Sequence, residues 1–483
     1  MAQKTRRDFL EQSMLTAAAA AVAGAPTFVP AAEKQSKSPN ERLQVAVVGV
    51  RGRGQSHLSA FSRRKDTEVV AVVDPDEAIG RQRAEKVGNS SGRKPQYLKD
   101  MRKAFEDKSI DIVSIATPNH WHALAAIWAI QAGKDVYVEK PVSHNVSEGR
   151  RIVQAARKYG KIVQTGTQCR SMGGTIQAID HVHQGKIGKV SVARGLCYKR
   201  RGSIGARGKY KAPASVDYSL WLGPAAEKTL SRPRFHYDWH WQWDYGNGDL
   251  GNQGIHQMDI ARWGLGVDHI GHSVHSYGGR LGYVDAGDTA NTQVSIHDYG
   301  EKRLVFEVRG LPTDRLKGAG VGVIFEGSDG YVVLSSYNGG AAFDPEGKMV
   351  KKFSAGGDHF ANFVSAVRSR KHTDLNADIE NGHLSSALCH LGNVSYRLGQ
   401  AISVADLQKR FDGDDEATAT LGRVVGHLAG NKVDLASQQL ISGQSLQLDP
   451  KKEIFVGSGA KQSNPHLTRE YRKPFVVPSA NDV

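Results

Sequence analysis

Glu139-Lys140-Pro141 closes a short apolar run, Asp135–Val138, ninety residues after the glycine turn Gly49-Val50-Arg51-Gly52-Arg53-Gly54. A lysine just beyond a buried strand and beside a nucleotide site can polarise a hydroxyl or move its proton. Its ammonium stabilises negative charge that develops on the oxygen. Two further groups belong with it, Thr117-Pro118-Asn119 and His256-x-x-Asp259. Alone the tripeptide carries little; the set points to nicotinamide chemistry on a sugar or polyol.

The glycine turn follows a β-branched run, Leu43–Gly49, and opens a helical stretch, Gln55–Arg64. In that context glycines bring the backbone close to a pyrophosphate, and the helix start supplies amides and a positive dipole. The spacing departs from G-x-G-x-x-G: Arg51 takes the second glycine place and Gly52 is shifted by one. Asp74 lies 25 positions after Gly49, at the end of the next apolar run. A carboxylate there accepts both adenosine ribose hydroxyls and repels a 2′-phosphate, which favours NAD; Arg51 and Arg53 keep NADP open. Thr117, Asn119 and His122 sit where a third strand gives way to a helix, so Asn119 is placed for a ribose or nicotinamide group. His122 could bind there or serve as a cap or packing residue.

These groups need a scaffold. Strand-like runs at 43–49, 68–73, 111–117, 135–138 and 161–165 alternate with helix-like stretches at 55–64, 77–87, 122–132 and 147–158. Such alternation predicts a parallel sheet covered on both faces, a Rossmann domain over 40–166. Past 166 the texture changes to longer β-like stretches at 189–198, 271–277, 291–298, 303–309, 321–326 and 331–335, separated by Gly- and Asp-containing turns. Helical segments fall at 174–184, 256–263, 360–369 and 385–398. This predicts a second, α+β domain over 167–400 with a mostly antiparallel sheet. Residues 401–483 read as a less regular extension.

Gln168 and Arg170 follow the last strand of the first domain and would enter the cleft between domains, where Arg170 could meet a substrate oxygen or a surface carboxylate. The run Tyr237-Asp238-Trp239-His240-Trp241-Gln242-Trp243-Asp244-Tyr245 is a candidate carbohydrate platform. Aromatic faces pack on sugar C–H surfaces, and carboxylates bond hydroxyls. Trp239, Trp243, Asp244 and Tyr245 are its candidate contacts; an aromatic core strand or oligomer contact is the competing reading. His236 and His240 have i, i+4 spacing, but with no third ligand set of clear spacing no metal site is assigned.

Length and composition fit two domains with extensions: 483 residues, 39% hydrophobic, 23% charged and net charge +15. The chain has no long Lys/Arg block, and no nucleic-acid motif is found. Cys169, Cys197 and Cys389 are too scattered for a disulfide framework. Arg6-Arg7 before Phe9-Leu10, then the alanine run 17–23, have the layout of a twin-arginine signal over residues 1–32. That route exports folded protein, so the expectation is a periplasmic enzyme that takes up its dinucleotide first, is handled by the twin-arginine machinery, and has no stable membrane insertion after processing.

Val47-Val48-Gly49 with its turn, Asp74, Thr117-Pro118-Asn119 with His122, Glu139-Lys140-Pro141 and His256-x-x-Asp259 with Arg262-Trp263 together resemble the Gfo/Idh/MocA oxidoreductases. The resemblance runs from about 43 to 400. It implies a Rossmann domain joined to an α/β domain whose open sheet often mediates homodimers or homotetramers, and NAD(P)-linked oxidation of sugars or polyols. Carried over, Glu139 and Lys140 border the nicotinamide, Pro141 takes a cis bond, Lys140 holds the reacting hydroxyl, and His256 is the other acid/base group. Familiar members have an aspartate four residues before that histidine; here the place is Asn252, which can orient but not take a proton. Asp259 would orient a hydroxyl or the imidazole. Some relatives instead run a redox-neutral glycosidase or lyase cycle on captive NAD, oxidising a sugar transiently. That is the alternative reading.

Overall fold

The computed structural model describes residues 41–483. The expected twin-arginine segment and the polar leader after it lie outside the described residues. Among the described residues no helix is long and apolar enough to cross a membrane.

The first sheet has six parallel strands in the order β3-β2-β1-β4-β5-β6. They are β1 (Leu43–Val48), β2 (Thr67–Val73), β3 (Gln96–Leu98), β4 (Ile112–Ile115), β5 (Asp135–Val138) and β6 (Val163–Thr165). The central strands are valine- and isoleucine-rich and buried on both faces, as a sheet sandwiched by helices requires. Helices α1 (Gly54–Arg63), α2 (Glu77–Ser91), α3 (Met101–Glu106), α4 (Asn119–Gln131) and α5 (Val146–Lys158) make the crossovers. Helix α4 is buried almost all round, so it reads as a core helix with no polar face. The sequence reading missed β3 and α3, which are too short to show a period.

After β6 come α6 (Gly173–His183), β7 (Val190–Tyr198), α7 (Gly248–Asn252), α8 (Gly254–Leu265), β8 (Ser273–Gly279), β9 (Thr292–Asp298), β10 (Arg303–Arg309), β11 (Val321–Gly327) and β12 (Gly330–Ser336). They are followed by β13 (Gly339–Phe343), β14 (Met349–Ser354), α9 (His359–Ser369), α10 (Ile379–Arg397), β15 (Gln400–Ile402), α11 (Val404–Arg410), α12 (Asp415–Gly430), β16 (Leu440–Ser442) and β17 (Leu446–Asp449). The second sheet runs β14-β13-β12-β11-β7-β10-β9-β8-β16-β15 and is antiparallel except at β7 and β10. Its inner face packs on α6, α8 and α10 through residues such as Ile179, Met258, Phe306 and Leu388.

Two segments go where their sequence position does not suggest. Helix α9 turns back to the first sheet, where Phe360 stacks on Tyr137 with ring centroids 4.8 Å apart and Phe363 joins the cluster of Val45, Val47 and Ile112. Beyond 403 the chain is more regular than expected as far as residue 467, and holds no helix or strand after it. Helix α12 places Ala417, Leu421, Val424 and Leu428 on one stripe against Tyr277, Val294 and Val305. The outer face of the second sheet is therefore covered over β8–β10 by the chain itself. Beneath α12, Glu307 is buried with Arg194 at 2.9 Å, Arg309 at 3.0 Å and Arg423 at 3.0 Å, and it accepts from the Tyr198 hydroxyl at 2.7 Å. A carboxylate so enclosed is tolerable only because each oxygen is paired.

If α12 is an integral layer, Leu428→Ala leaves a cavity in a fully buried site. Chemical denaturation is expected to show a loss of about 3 kcal/mol; an unchanged midpoint would mean the helix is an appendage.

Candidate active site

One cleft of about 450 Å³ runs along the carboxyl ends of β1, β2, β4 and β5 and on to α7 and α8. Its first wall is the glycine turn. Gly49 has φ +81°, and a Cβ there would stand 2.7 Å from the Ala116 backbone. A Cβ on Gly54 would stand 1.9 Å from the Gly49 carbonyl oxygen. These two glycines let the turn close on the loop after β4. Gly52 lines the cleft, and a Cβ there would meet no protein atom within 4 Å. The first turn of α1 starts at this wall, and such a turn leaves amides without intrahelical partners.

Asp74, just past β2, is buried at the same wall. Its Oδ2 accepts from the Val50 amide and its Oδ1 from the Asp76 amide, both at 2.9 Å. Burial raises its pKa to about 6 against those two bonds. Both arginines of the turn are exposed, but Arg53 also donates to Glu139 Oε1 at 2.7 Å.

At the other end Lys140 follows β5, and its bond to Pro141 is cis. Lys140 Nζ donates to the backbone carbonyl of Asn252 at 2.7 Å. Desolvation lowers its pKa, Glu139 opposes this and Arg53 adds to it. Burial is the largest of these causes. The Asn252 side chain points its amide at Asp249 Oδ1, 3.4 Å away, and Asp249 is gripped by Arg201 at 2.6 and 2.7 Å. His256, on α8, lines the cleft too, with burial and then the Lys140 charge holding its pKa well below 6.5. It is therefore a neutral imidazole, able to take a proton.

Glu139 is buried between His57 Nε2 at 3.1 Å and Arg53. Burial pushes its pKa up, but the His57 bond and the Arg53 charge carry it well below the usual carboxylate range. Burial keeps His57 neutral, so Nε2 donates to Glu139 and Nδ1 accepts from the Ser114 hydroxyl at 2.8 Å. Thr117, Asn119, His122 and Gln168 all line the cleft. His122 stands between two cleft loops, Nδ1 2.6 Å from the Pro141 carbonyl and Nε2 2.8 Å from that of Thr117, and with burial lowering its pKa the neutral ring donates to one of them.

Besides Gly54, which packs on the Gly49 carbonyl within the turn, five sequence-selected residues fall outside the lining. Arg170 Nε reaches both oxygens of Asp259, at 3.0 and 2.8 Å, and Ser385 donates to the same carboxylate at 2.7 Å. Both are buried, so this pair braces α8 where a substrate contact was expected. Tyr245 is buried in an apolar cluster with Trp221, Leu222, Leu230 and Phe235, around the Arg232 guanidinium. Asp244 pairs with Lys228 at 2.8 Å, and Trp243 lies under Arg397 at 5.1 Å. Of the aromatic run, Trp239 lines the cleft, together with Tyr237 and His240. Segment 199–247 is thus a flap with its own small core, and only one edge of it faces the cleft.

The flap is fastened over the nucleotide wall. Asp76 accepts from Ser215 Oγ at 2.8 Å and lies 3.1 Å from His236 Nε2, and the Asp217 amide donates to the Pro75 carbonyl at 2.9 Å. Trp121 Nε1 donates to the Trp221 carbonyl at 3.0 Å. His236 and His240 are thereby engaged separately. Among the described residues no group of three or more His, Cys, Asp or Glu is placed to hold a metal ion. Sequence reasoning missed His57, Asp249 and Tyr337, which reach the site through packing, and Asp76, whose amide bonds the Asp74 carboxylate two residues before it.

The profile described as "Oxidoreductase family, NAD-binding Rossmann fold" matches residues 43–167, and its companion, "Oxidoreductase family, C-terminal alpha/beta domain", matches 189–281 and 323–425. Similar curated proteins include D-glucoside 3-dehydrogenase of Escherichia coli, 26% identical over 55% of this chain and 67% of that protein. Glycosyl hydrolase family 109 protein 2 of Shewanella sp. strain ANA-3 is 34% identical over 31% of this chain and 36% of that protein. Inositol 2-dehydrogenase of Salmonella typhimurium is 28% identical over 37% and 51%. The chain thus spans about a third to two thirds of the length of these relatives. Among solved structures, GenD2 from gentamicin A biosynthesis with NAD superposes with TM-score 0.53 at 18% identity, over 76% of this chain and 96% of that one. The WlbA dehydrogenase of Bordetella pertussis with NADH and UDP-GlcNAcA gives 0.53 at 17%, over 73% and 96%.

The donor set fits NAD: a glycine turn closing on β4, helix amides at the wall, and Asp74 for the ribose hydroxyls. Asp74 is charged above about pH 6 and neutral below. NAD affinity is expected to fall about tenfold for each pH unit below that value if only the carboxylate accepts the ribose. Fluorescence titration of NAD from pH 8 downward checks this. Asp74→Asn should weaken binding at pH 8 and flatten the profile, and a flat wild-type profile would remove Asp74 from the ribose site.

Proposed function

We propose that this chain, which belongs to the Gfo/Idh/MocA oxidoreductase family, is an NAD-dependent dehydrogenase. It would exchange hydride with a carbinol carbon of a sugar or polyol. One observation carries the reading: Asp74, Lys140 and His256 line a single cleft, a ribose acceptor at one end and an ammonium with a neutral imidazole at the other. The bound nicotinamide supplies the hydride acceptor. Lys140, fixed by the Asn252 carbonyl, holds the substrate oxygen, and His256 receives the hydroxyl proton. The carbinol becomes a carbonyl, with one hydride passed on and one proton released. Asn252 contributes through its backbone oxygen, so replacement of the usual aspartate leaves Lys140 anchored. The dehydrogenase names of the glucoside and inositol relatives support the substrate class. Arg6-Arg7 and the alanine run support export in the folded, NAD-loaded state to the periplasm.

A redox-neutral cleavage on retained NAD is the second reading. The flap bonded to Asp76 and Trp121 favours it, because it covers the route by which a dinucleotide would leave. In that cycle the sugar is oxidised, the glycosidic substituent is eliminated, and the same hydride returns, so no net NADH forms.

Both readings place Lys140 at the reacting oxygen. Lys140→Ala is expected to lower kcat/KM by about a thousandfold while NAD binding stays close to wild type. Assays with glucosides, inositols and other polyols separate the two: stoichiometric NADH supports the dehydrogenase, and aglycone release without NADH supports cleavage. Turnover unaffected by the substitution would displace Lys140 from the chemistry.

A further inference from the structure

Tyr337 shares the catalytic end of the cleft with Lys140, Asn252 and His256. It sits at the tip of the hairpin joining β12 and β13, and its ring centroid is 5.0 Å from that of His256. A hairpin tip is ordinarily a solvated, mobile place; this one is docked. Thr175 Oγ1 donates to the Tyr337 carbonyl at 2.9 Å, and the Ala355 amide donates to the Asn338 carbonyl at 3.3 Å. The approach of the tip to α6 depends on Gly174, where a Cβ would fall 1.9 Å from the Asn338 oxygen.

The phenol is oriented as well as positioned. Gln253 Nε2 donates to the Tyr337 hydroxyl oxygen at 2.7 Å and to Gln257 Oε1 at 3.4 Å. An amide nitrogen is a donor only, so the phenol oxygen accepts there and keeps its own hydrogen to give. Burial raises the phenol pKa above 10, with the Gln253 bond opposing, so the group stays protonated through the neutral range. It is a donor there and not a base.

The geometry points to Tyr337 as a catalytic hydrogen-bond donor to the reacting oxygen of a sugar or polyol, acting beside Lys140. This rests on the dehydrogenase reading above. As the hydroxyl proton passes to His256 and hydride leaves the carbon, negative charge gathers on the oxygen and is spent in forming the carbonyl. Two donors aimed at that oxygen, one ammonium and one phenol, lower the barrier in both directions. Tyr337 thus adds a second polar contact at the wall where Asn252 offers the reacting oxygen no ionisable group.

The test uses the full NAD-loaded chain and the best-turned-over sugar or polyol, in wild type and Tyr337→Phe. Removal of the hydroxyl is expected to lower kcat about a hundredfold and to leave NAD affinity unchanged. Equal kcat would overturn the assignment of Tyr337 while the dehydrogenase reading stands. If none of the carbinols supplied lets wild type form NADH, that reading fails and the assignment fails with it. Gly174→Ala gives a second arm: pushing the tip off α6 with the phenol intact should lower kcat as Tyr337→Phe does, and unimpaired turnover in it would likewise count against Tyr337.

Discussion

The site depends on one buried carboxylate. Glu139 stands at the end of β5 with almost no access to water, and beside the amide and charge of Lys140 next in the chain it is kept ionised by the His57 imidazole and the Arg53 guanidinium. Those partners come from the helix after the glycine turn and from the turn itself. One anion therefore sets the distance between the dinucleotide wall and the lysine that follows it. The room it occupies is reserved: a Cβ on Gly166 would stand 2.8 Å from the Glu139 carboxylate. Breaking such a pair from one side leaves a charge stranded in a low-dielectric interior, which costs more than the pair contributes. Arg53 is thus part of the catalytic end as much as of the nucleotide end.

The first domain was largely legible in the sequence because its signals are local. Valine runs, a glycine turn, and Asp74 and Lys140 just past strand ends each need only their neighbours to be read, and the parallel sheet brings strand ends together by construction. The cleft residues around Lys140 and His256 followed from the motif set. What escaped were features made by distant pairing. Arg170 and Asp259 each looked available to a substrate, and only the packing of α8 shows that they satisfy one another. Helix α12 lies between Asp- and Gly-rich turns, which drew attention from its apolar spacing. Tyr337 carried no signal at all, since a tyrosine before Asn338-Gly339 reads as hairpin punctuation.

The flap shows how an aromatic-rich stretch can mislead. Its rings were expected to face a sugar, yet of Trp239, Trp243 and Tyr245 only Trp239 lines the cleft, and Tyr245 joins Trp221 and Phe235 around Arg232, which is fully buried and has no carboxylate partner among the described residues. Its charge is met by the Gln242 amide oxygen, the Phe235 carbonyl and the faces of Trp221, Phe235 and Tyr245. Burial lowers its pKa to about 10, which still leaves the guanidinium charged. A cation enclosed by rings organises a small core that has too few aliphatic side chains to do so itself.

The flap is also buckled from far along the chain. Arg472 Nε donates to the Gly223 carbonyl, 249 positions away, and Phe475 sets its ring against Trp121 at 5.4 Å. As the polypeptide leaves the ribosome, the Rossmann sheet and its glycine turn are complete long before that buckle exists. During synthesis the nucleotide groove is a trough open to bulk metabolites until the flap is made, and residues 469–477 add its last ties. The order of synthesis thus favours a sequence in which the dinucleotide enters first and the roof closes over it.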